Sequence, residues 1–146
     1  MTTATSKAAD ETRIRALIEK RASALRVKDA QGVLSCRTAD SLHFSLAPPL
    51  RSETDVARLN AWFSTWEGGI GLEVRGLAVT AAGEVAFCHG LTHMTGRKVD
   101  GAQVDLWFRT TLGLRKEGGA WRIAHEHESV PFYMDGSFKA AIDLQP

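Results

Sequence analysis

The sequence predicts an α+β protein built on an antiparallel sheet, and three observations predict it. Apolar residues recur at helical spacing in the first half of the chain and at a spacing of two in the second. Turns at Gly83, Asp100-Gly101 and Glu117-Gly118-Gly119 join the alternating stretches as hairpins. Helices come first and consecutive strands later, an order that gives segregated layers rather than a doubly wound parallel sheet. A length of 146 residues suits one domain over 1–146.

Residues 1–9 read as a disordered leader. Asp10 can cap a helix running to about Val27, with Ile14, Leu17, Ile18 and Leu25 on one face and Arg21 interrupting that apolar stripe. Asp29 can cap a short second helix through Val33, Leu34 and Cys36. Leu42 to Leu46 reads as a short strand closed by Ala47-Pro48-Pro49, which cannot continue a ladder. Ser52, three residues before Asp55, opens a third helix on a variant of the capping box. Val56, Leu59, Trp62, Phe63 and Trp66 give that helix its apolar face, and Gly68-Gly69 stop it. Four strands follow, over 72–81, 84–95, 102–116 and 121–129. Residues 130–146 form a tail without an assigned element.

Eighteen Lys and Arg against seventeen Asp and Glu leave a formal net charge of +1, which argues against a nucleic-acid binder. A chain 44% hydrophobic and 24% charged has the material for a packed core. No apolar run approaches the roughly 20 residues of a membrane helix. The stretch from Met1 to Asp10 is polar, without the apolar segment of an export signal. The expectation is a cytoplasmic protein with no membrane partner, its two cysteines, Cys36 and Cys88, free thiols and small core residues.

Alternation says which strand residues share a face. Asp105, Trp107, Arg109 and Thr111 fall on one side, and Val104, Leu106, Phe108 and Thr110 on the other. Val85, Phe87, His89, Leu91 and His93 align on their strand. On the last strand Trp121, Ile123, His125 and His127 align, opposite Arg122, Ala124, Glu126 and Glu128. A face mixing aromatic and ionisable groups suits a concave pocket, where a few polar groups orient a ligand against apolar walls. The expected lining is therefore Asp105, Trp107, Arg109, His89, His93, His125, His127 and Phe44, with Trp62 and Trp66 as an aromatic wall. The apolar face from Val104 to Thr110 then needs cover, which predicts a homodimer through the sheet. Arg37 and Arg51 have no patterned companions and read as solvated. The histidine pairs could approach a zinc geometry, but no Cys joins them at ligand spacing, so no metal and no cofactor is assigned.

Three stretches carry a family resemblance: the first helix with Lys28-Asp29-Ala30-Gln31-Gly32-Val33-Leu34, the strand Arg109-Thr110-Thr111-Leu112-Gly113-Leu114-Arg115-Lys116, and the close from Trp121-Arg122-Ile123 to Val130-Pro131. Over about Arg13 to Ser129 the chain resembles the nuclear transport factor 2-like superfamily, within the SnoaL-like, ketosteroid-isomerase-like group. The final strand also looks like the close of the association domain of calcium/calmodulin-dependent kinases. The resemblance implies a curved sheet wrapped around three helices, a pocket between them and a dimer through the sheet. That fold hosts isomerases, cyclases, epoxide hydrolases, transport factors and oligomerisation modules. Aligned on the Asp29 helix, the isomerase base falls at or near Ser45, its tyrosine near Arg21 and its second aspartate near Leu112 or Gly113, so that machinery is not retained. The epoxide-hydrolase pattern keeps Arg109 but has Thr111 where it needs an aspartate. Where SnoaL-like cyclases use an aspartate near the end of the last strand, this chain has His125 and His127.

Two functions follow as expectations. One is a small-molecule enzyme of the isomerase, cyclase or hydrolase kind. In it His125 or His127 acts as base, Asp105 orients it, and Arg109 holds a carboxylate or enolate oxygen. The other is a non-catalytic ligand-binding or oligomerisation module.

Overall fold

The computed structural model describes residues 2–146, which form three helices and one five-stranded sheet. Helix α1 spans Thr2–Arg26 and includes most of the expected leader; Met1 lies outside the described residues. Ala4, Lys7, Ala8 and Ala9 are strong helix formers, so the helix passes through Asp10 instead of starting there. Asp10 is buried, and its Oδ1 accepts from Trp121 Nε1 at 2.9 Å and lies 3.0 Å from Lys116 Nζ, which ties the helix to the sheet.

Helix α2, Ala30–Ser35, has the predicted cap: the Asp29 carboxylate accepts the Gly32 N–H at 2.9 Å. Strand β1, Arg37–Phe44, begins five residues before the expected strand. Helix α3, Val56–Phe63, is capped by Asp55, which accepts the Arg58 N–H at 2.8 Å. Ser52 instead forms a two-residue bridge with His43. Trp66 opens strand β2, Trp66–Ala82, rather than closing α3. Strands β3 (Val85–Lys98), β4 (Gln103–Glu117) and β5 (Ala120–Ser129) follow on the three predicted hairpin turns.

The sheet order is β1-β5-β4-β3-β2, antiparallel except for the parallel β1–β5 pair. Its curvature comes from register shifts. β2 shifts between Glu67 and Gly71 and again between Arg75 and Ala78, with Gly68 and Gly76 at positive φ. Such bulges bend a strand and increase its twist. A further shift in β5 sets the chemistry of the interior: Leu114 pairs with Ile123 but Gly113 pairs with His125, so Ala124 is an extra residue. One extra residue breaks the two-residue alternation. Trp121 and Ile123 therefore share the inner face with Glu126 and Glu128, while His125 and His127 turn outward.

On β4 the inner face is Phe108, Thr110, Leu112 and Leu114, all buried. The apolar side of this strand thus meets the helices, not a second copy, because burying it against α1 removes its area from water within one chain. Two core clusters result. Ile14, Ile18, Leu112, Leu114, Trp121 and Ile123 pack in one. Leu25, Val33, Phe63, Trp66 and Ile70 pack in the other. Beyond β5, residues 130–146 fold back on themselves: Phe132 bridges Ala140, and the buried Ala141 donates its N–H to Pro131 O at 2.8 Å. Among the described residues no helix is long and apolar enough to cross a membrane.

Ile123 has no exposed surface and joins β5 to α1. Ile123→Ala should cost about 2–5 kcal/mol of unfolding free energy, read as a lower urea midpoint at unchanged slope. A change under about 0.5 kcal/mol would mean that the site repacks freely.

Candidate functional site

A cavity of about 360 Å³ lies between the two core clusters, bordered by Ile18 of the first and by Leu25, Val33 and Ile70 of the second. Its walls are Leu72 and Val74 from β2, Met94 from β3, Phe108 from β4, and Leu59 and Trp62 from α3. The segment from Ser45 to Thr54 lines it from the side of the β1–α3 connection. That segment is fastened at its base, where Ser52 N–H donates to His43 O at 3.2 Å.

A charged cluster lines this largely apolar space. Glu126, with no exposed surface, accepts from Arg21 Nη2 on one carboxylate oxygen and from Arg37 Nη2 on the other. His43 Nε2 lies 3.8 Å from Glu126 Oε2 and 3.3 Å from Glu128 Oε2. Each group is placed by its element. Arg21 projects from α1 between Ile18 and Leu25, Arg37 and His43 come from β1, and the bulge at Ala124 brings both glutamates inward. Burial alone would raise the Glu126 pKa, but Arg21 and Arg37, with His43 and a hydrogen bond from Glu128, outweigh it and hold the carboxyl well below its usual range. Glu128 moves the other way. Burial and the neighbouring Glu126 charge raise its pKa, and nearby His43 and Arg21 only partly offset them. A carboxylate held ionised and a second carboxyl whose pKa is raised thus stand beside one imidazole.

Of the residues expected to line a pocket, Trp62 alone does so among the described residues. The others lie on the outer face of the sheet or off the cavity. His93 Nε2 is 2.6 Å from Asp105 Oδ1, and its ring stacks on Trp107 at 4.3 Å. Arg109 is exposed and donates from Nε to Ser129 Oγ at 3.0 Å. His89 is exposed; Phe44 packs edge-on against His125 and His127. Trp66 is buried under Lys98, whose Nζ sits 3.8 Å from the ring centroid. The mixed face was expected inside because polar groups suggested a pocket; the apolar face won the interior because its burial is worth more.

Arg37, expected to be solvated, is 6% exposed. Arg21 carried a visible signal, a charge inside an otherwise apolar helical stripe, while His43 and the two glutamates carried none without the bulge. Ligand atoms of His43, Glu126 and Glu128 lie within 4.8 Å of one another, a spacing that a metal could use. Each Glu126 oxygen is already taken by a guanidinium, however, and a cation would stand against both arginines.

The sequence model of the SnoaL-like domain matches residues 14–133. No curated protein matches the chain by sequence. A solved NTF2-like protein of unknown function from Pseudomonas putida KT2440 is 32% identical, covering 95% of this chain and 98% of its own at a TM-score of 0.84. A candidate scytalone dehydratase from Novosphingobium aromaticivorans is 12% identical over 88% of this chain and 87% of its own, at a TM-score of 0.76. The association domain of the Caenorhabditis elegans kinase CaMKII is 15% identical over 85% of this chain and 98% of its own, at a TM-score of 0.69. The last two share the fold.

Opposite shifts in the two glutamates make opposite predictions. Glu126 is held below its ordinary value of 4.5, so its contribution to stability is full above that pH and lost as the pH falls. Glu128 is raised, so the fold opposes its ionisation and loses stability as the pH rises past the same value. Glu126→Gln should cost about 3–5 kcal/mol at pH 7, because two buried guanidiniums lose their charge partner. Glu128→Gln should match or exceed the wild type at pH 8 and approach it at pH 4. Urea unfolding between pH 4 and pH 8 measures both; equal losses in the two variants at pH 8 would contradict the assignment.

Proposed function

The chain belongs to the SnoaL-like domain family of the NTF2-like superfamily, and from that premise we propose that it binds a small organic molecule in the cavity and moves a proton on it. The observation that carries this reading is the His43–Glu128 pair, 3.3 Å apart, on a cavity of about 360 Å³ with apolar walls. Such a volume lies in the range of ligand sites, about 300–1,000 Å³. An imidazole can accept a proton, and a carboxyl whose pKa is raised is better able to supply one. In the forward step His43 takes a proton from a carbon beside a carbonyl, and the electron pair moves onto the carbonyl oxygen as an enolate. Glu128 then protonates either a second carbon, giving an isomer, or a leaving hydroxyl, giving water and an alkene. The neighbour named as a candidate dehydratase lends the second outcome support. His43 thereby takes the role once expected of His125 or His127.

Outside the cavity, the outer sheet face carries Trp107, Leu91, Phe87 and Phe44 beside the His93–Asp105 hydrogen bond and the Arg75–Glu73 pair. Arg75 covers the Trp107 ring at 4.6 Å. A surface with exposed Leu91 and Phe87 fits a second copy, so the proposed homodimer uses this face and not the one from Val104 to Thr110. The kinase association domain among the neighbours makes assembly the second reading.

Hydrogen–deuterium exchange at carbon, followed by NMR in D₂O with a panel of ketones and β-hydroxy carbonyl compounds, tests the chemistry. Exchange should fall by about a hundredfold or more in His43→Gln and in Glu128→Gln, and stay unchanged in His127→Gln. Binding without exchange for every compound would leave a ligand-binding module. Light scattering tests the assembly: the wild type should be dimeric at micromolar concentration and Leu91→Asp monomeric. A monomeric wild type would overturn the dimer.

A further inference from the structure

The charged cluster holds more hydrogen-bond donors than its own acceptors use. Glu126 takes one Nη2 from each arginine. Among the described residues Arg21 Nε, Arg37 Nε and Arg37 Nη1 are buried with no partner. The two side chains are only 9% and 3% exposed, so water does not make up the deficit from outside. A dry, unpaired guanidinium N–H is costly, and native structures carry few such groups. Both arginines line the cavity. These three atoms have almost no accessible surface in this arrangement, so an acceptor in the cavity meets them by turning the guanidiniums toward it.

Charge points the same way. Two guanidiniums face one carboxylate that is held ionised, Glu126; the second, Glu128, is pushed toward its protonated form by burial and by Glu126. His43 adds no negative charge. In a place of low polarity a guanidinium attracts an anion more strongly than at a surface. Arginine is also the side chain best shaped for a carboxylate, through paired N–H donors. Leu25, Leu72, Met94 and Phe108 on the same cavity give an apolar surface for the rest of a ligand, with the Thr92 and Thr110 hydroxyls between them.

Resting on the reading of this cavity as a small-molecule site, we propose that its ligand is a monocarboxylic acid with an apolar body, its carboxylate received by Arg21 and Arg37 and its body by Leu25, Leu72, Met94 and Phe108. The volume bounds the size. About 360 Å³ lies near the small end of the range of ligand sites, about 300–1,000 Å³. Acids of about ten non-hydrogen atoms fit that space, among them 3-phenylpropanoate and octanoate. Placing the carboxylate on the arginines leaves the adjoining carbons near His43 and Glu128, which line the same cavity.

Isothermal titration of the full chain at pH 7 with 3-phenylpropanoate, octanoate and the two corresponding amides tests the class. At least one acid should bind at least tenfold more tightly than its amide. Arg21→Gln should abolish that preference while leaving the amide's affinity within about threefold, since the body contacts remain. Leu72→Trp, which fills the cavity and spares the cluster, should abolish binding of acid and amide alike. Amides that bind as well as the acids would overturn the anion proposal and leave the cavity a small-molecule site. Binding of the acids that survives Leu72→Trp would place them elsewhere and overturn the proposal. No binding by any of the four compounds would overturn both the proposal and the reading beneath it.

Discussion

The Glu126 carboxylate, gripped by Arg21 and Arg37, is the interaction on which the rest of the molecule depends. A carboxylate with no exposed surface is tolerable only if its charge is met at contact distance. The two guanidiniums that meet it come from α1 and β1, so the first helix, the first strand and the last strand are locked to one another at a single point. That lock cannot form until residues 105 and 89 positions apart have come together. It specifies one packing of α1 on the sheet, because sliding the helix by a turn would part Arg21 from Glu126 and leave a buried guanidinium without its charge partner. It also leaves a cavity: large charged side chains meeting in one place keep apolar ones from filling it.

Much of the fold was legible because local signals agreed with it. The change of period from helical spacing to alternation, the Asp29 cap and the three glycine turns each predicted what the fold contains. Boundaries failed where one signal stood in for another. Asp10 resembled a cap but is bonded to Trp121 and Lys116, and Ser52 resembled a cap but is held by His43. Trp66 fits the apolar spacing of α3, yet its backbone is already extended.

The site was less legible, and one residue explains most of the difference. Alternation puts His125 and His127 with Ile123, and it holds only while the ladder is regular. Ala124 interrupts it, and nothing about an alanine between isoleucine and histidine announces a bulge. Arg37 was misread for a different reason: its partner lies in the last strand, and no local spacing connects them. Arg21 was the exception. A charge in an apolar helical stripe must find a partner or disrupt the packing, so its position alone marked the interior as polar. For β4, the simpler rule of burying the cleaner apolar face gave the right answer where the search for a mixed face did not.

The bulge has a consequence for how relatives of this chain are lined up. Ala124 has no counterpart across the ladder, so an unbulged relative has one residue fewer between the positions of Ile123 and Glu126. A gapless comparison anchored on Trp121-Arg122-Ile123 would set Glu126 against an outward residue of such a relative and His125 against its buried one. Identity scores over so short a strand would hardly register the slip, yet every functional correspondence drawn from it would name the wrong side of the sheet. For this strand, equivalence is a matter of which way a side chain faces, and a single gap at Ala124 restores it.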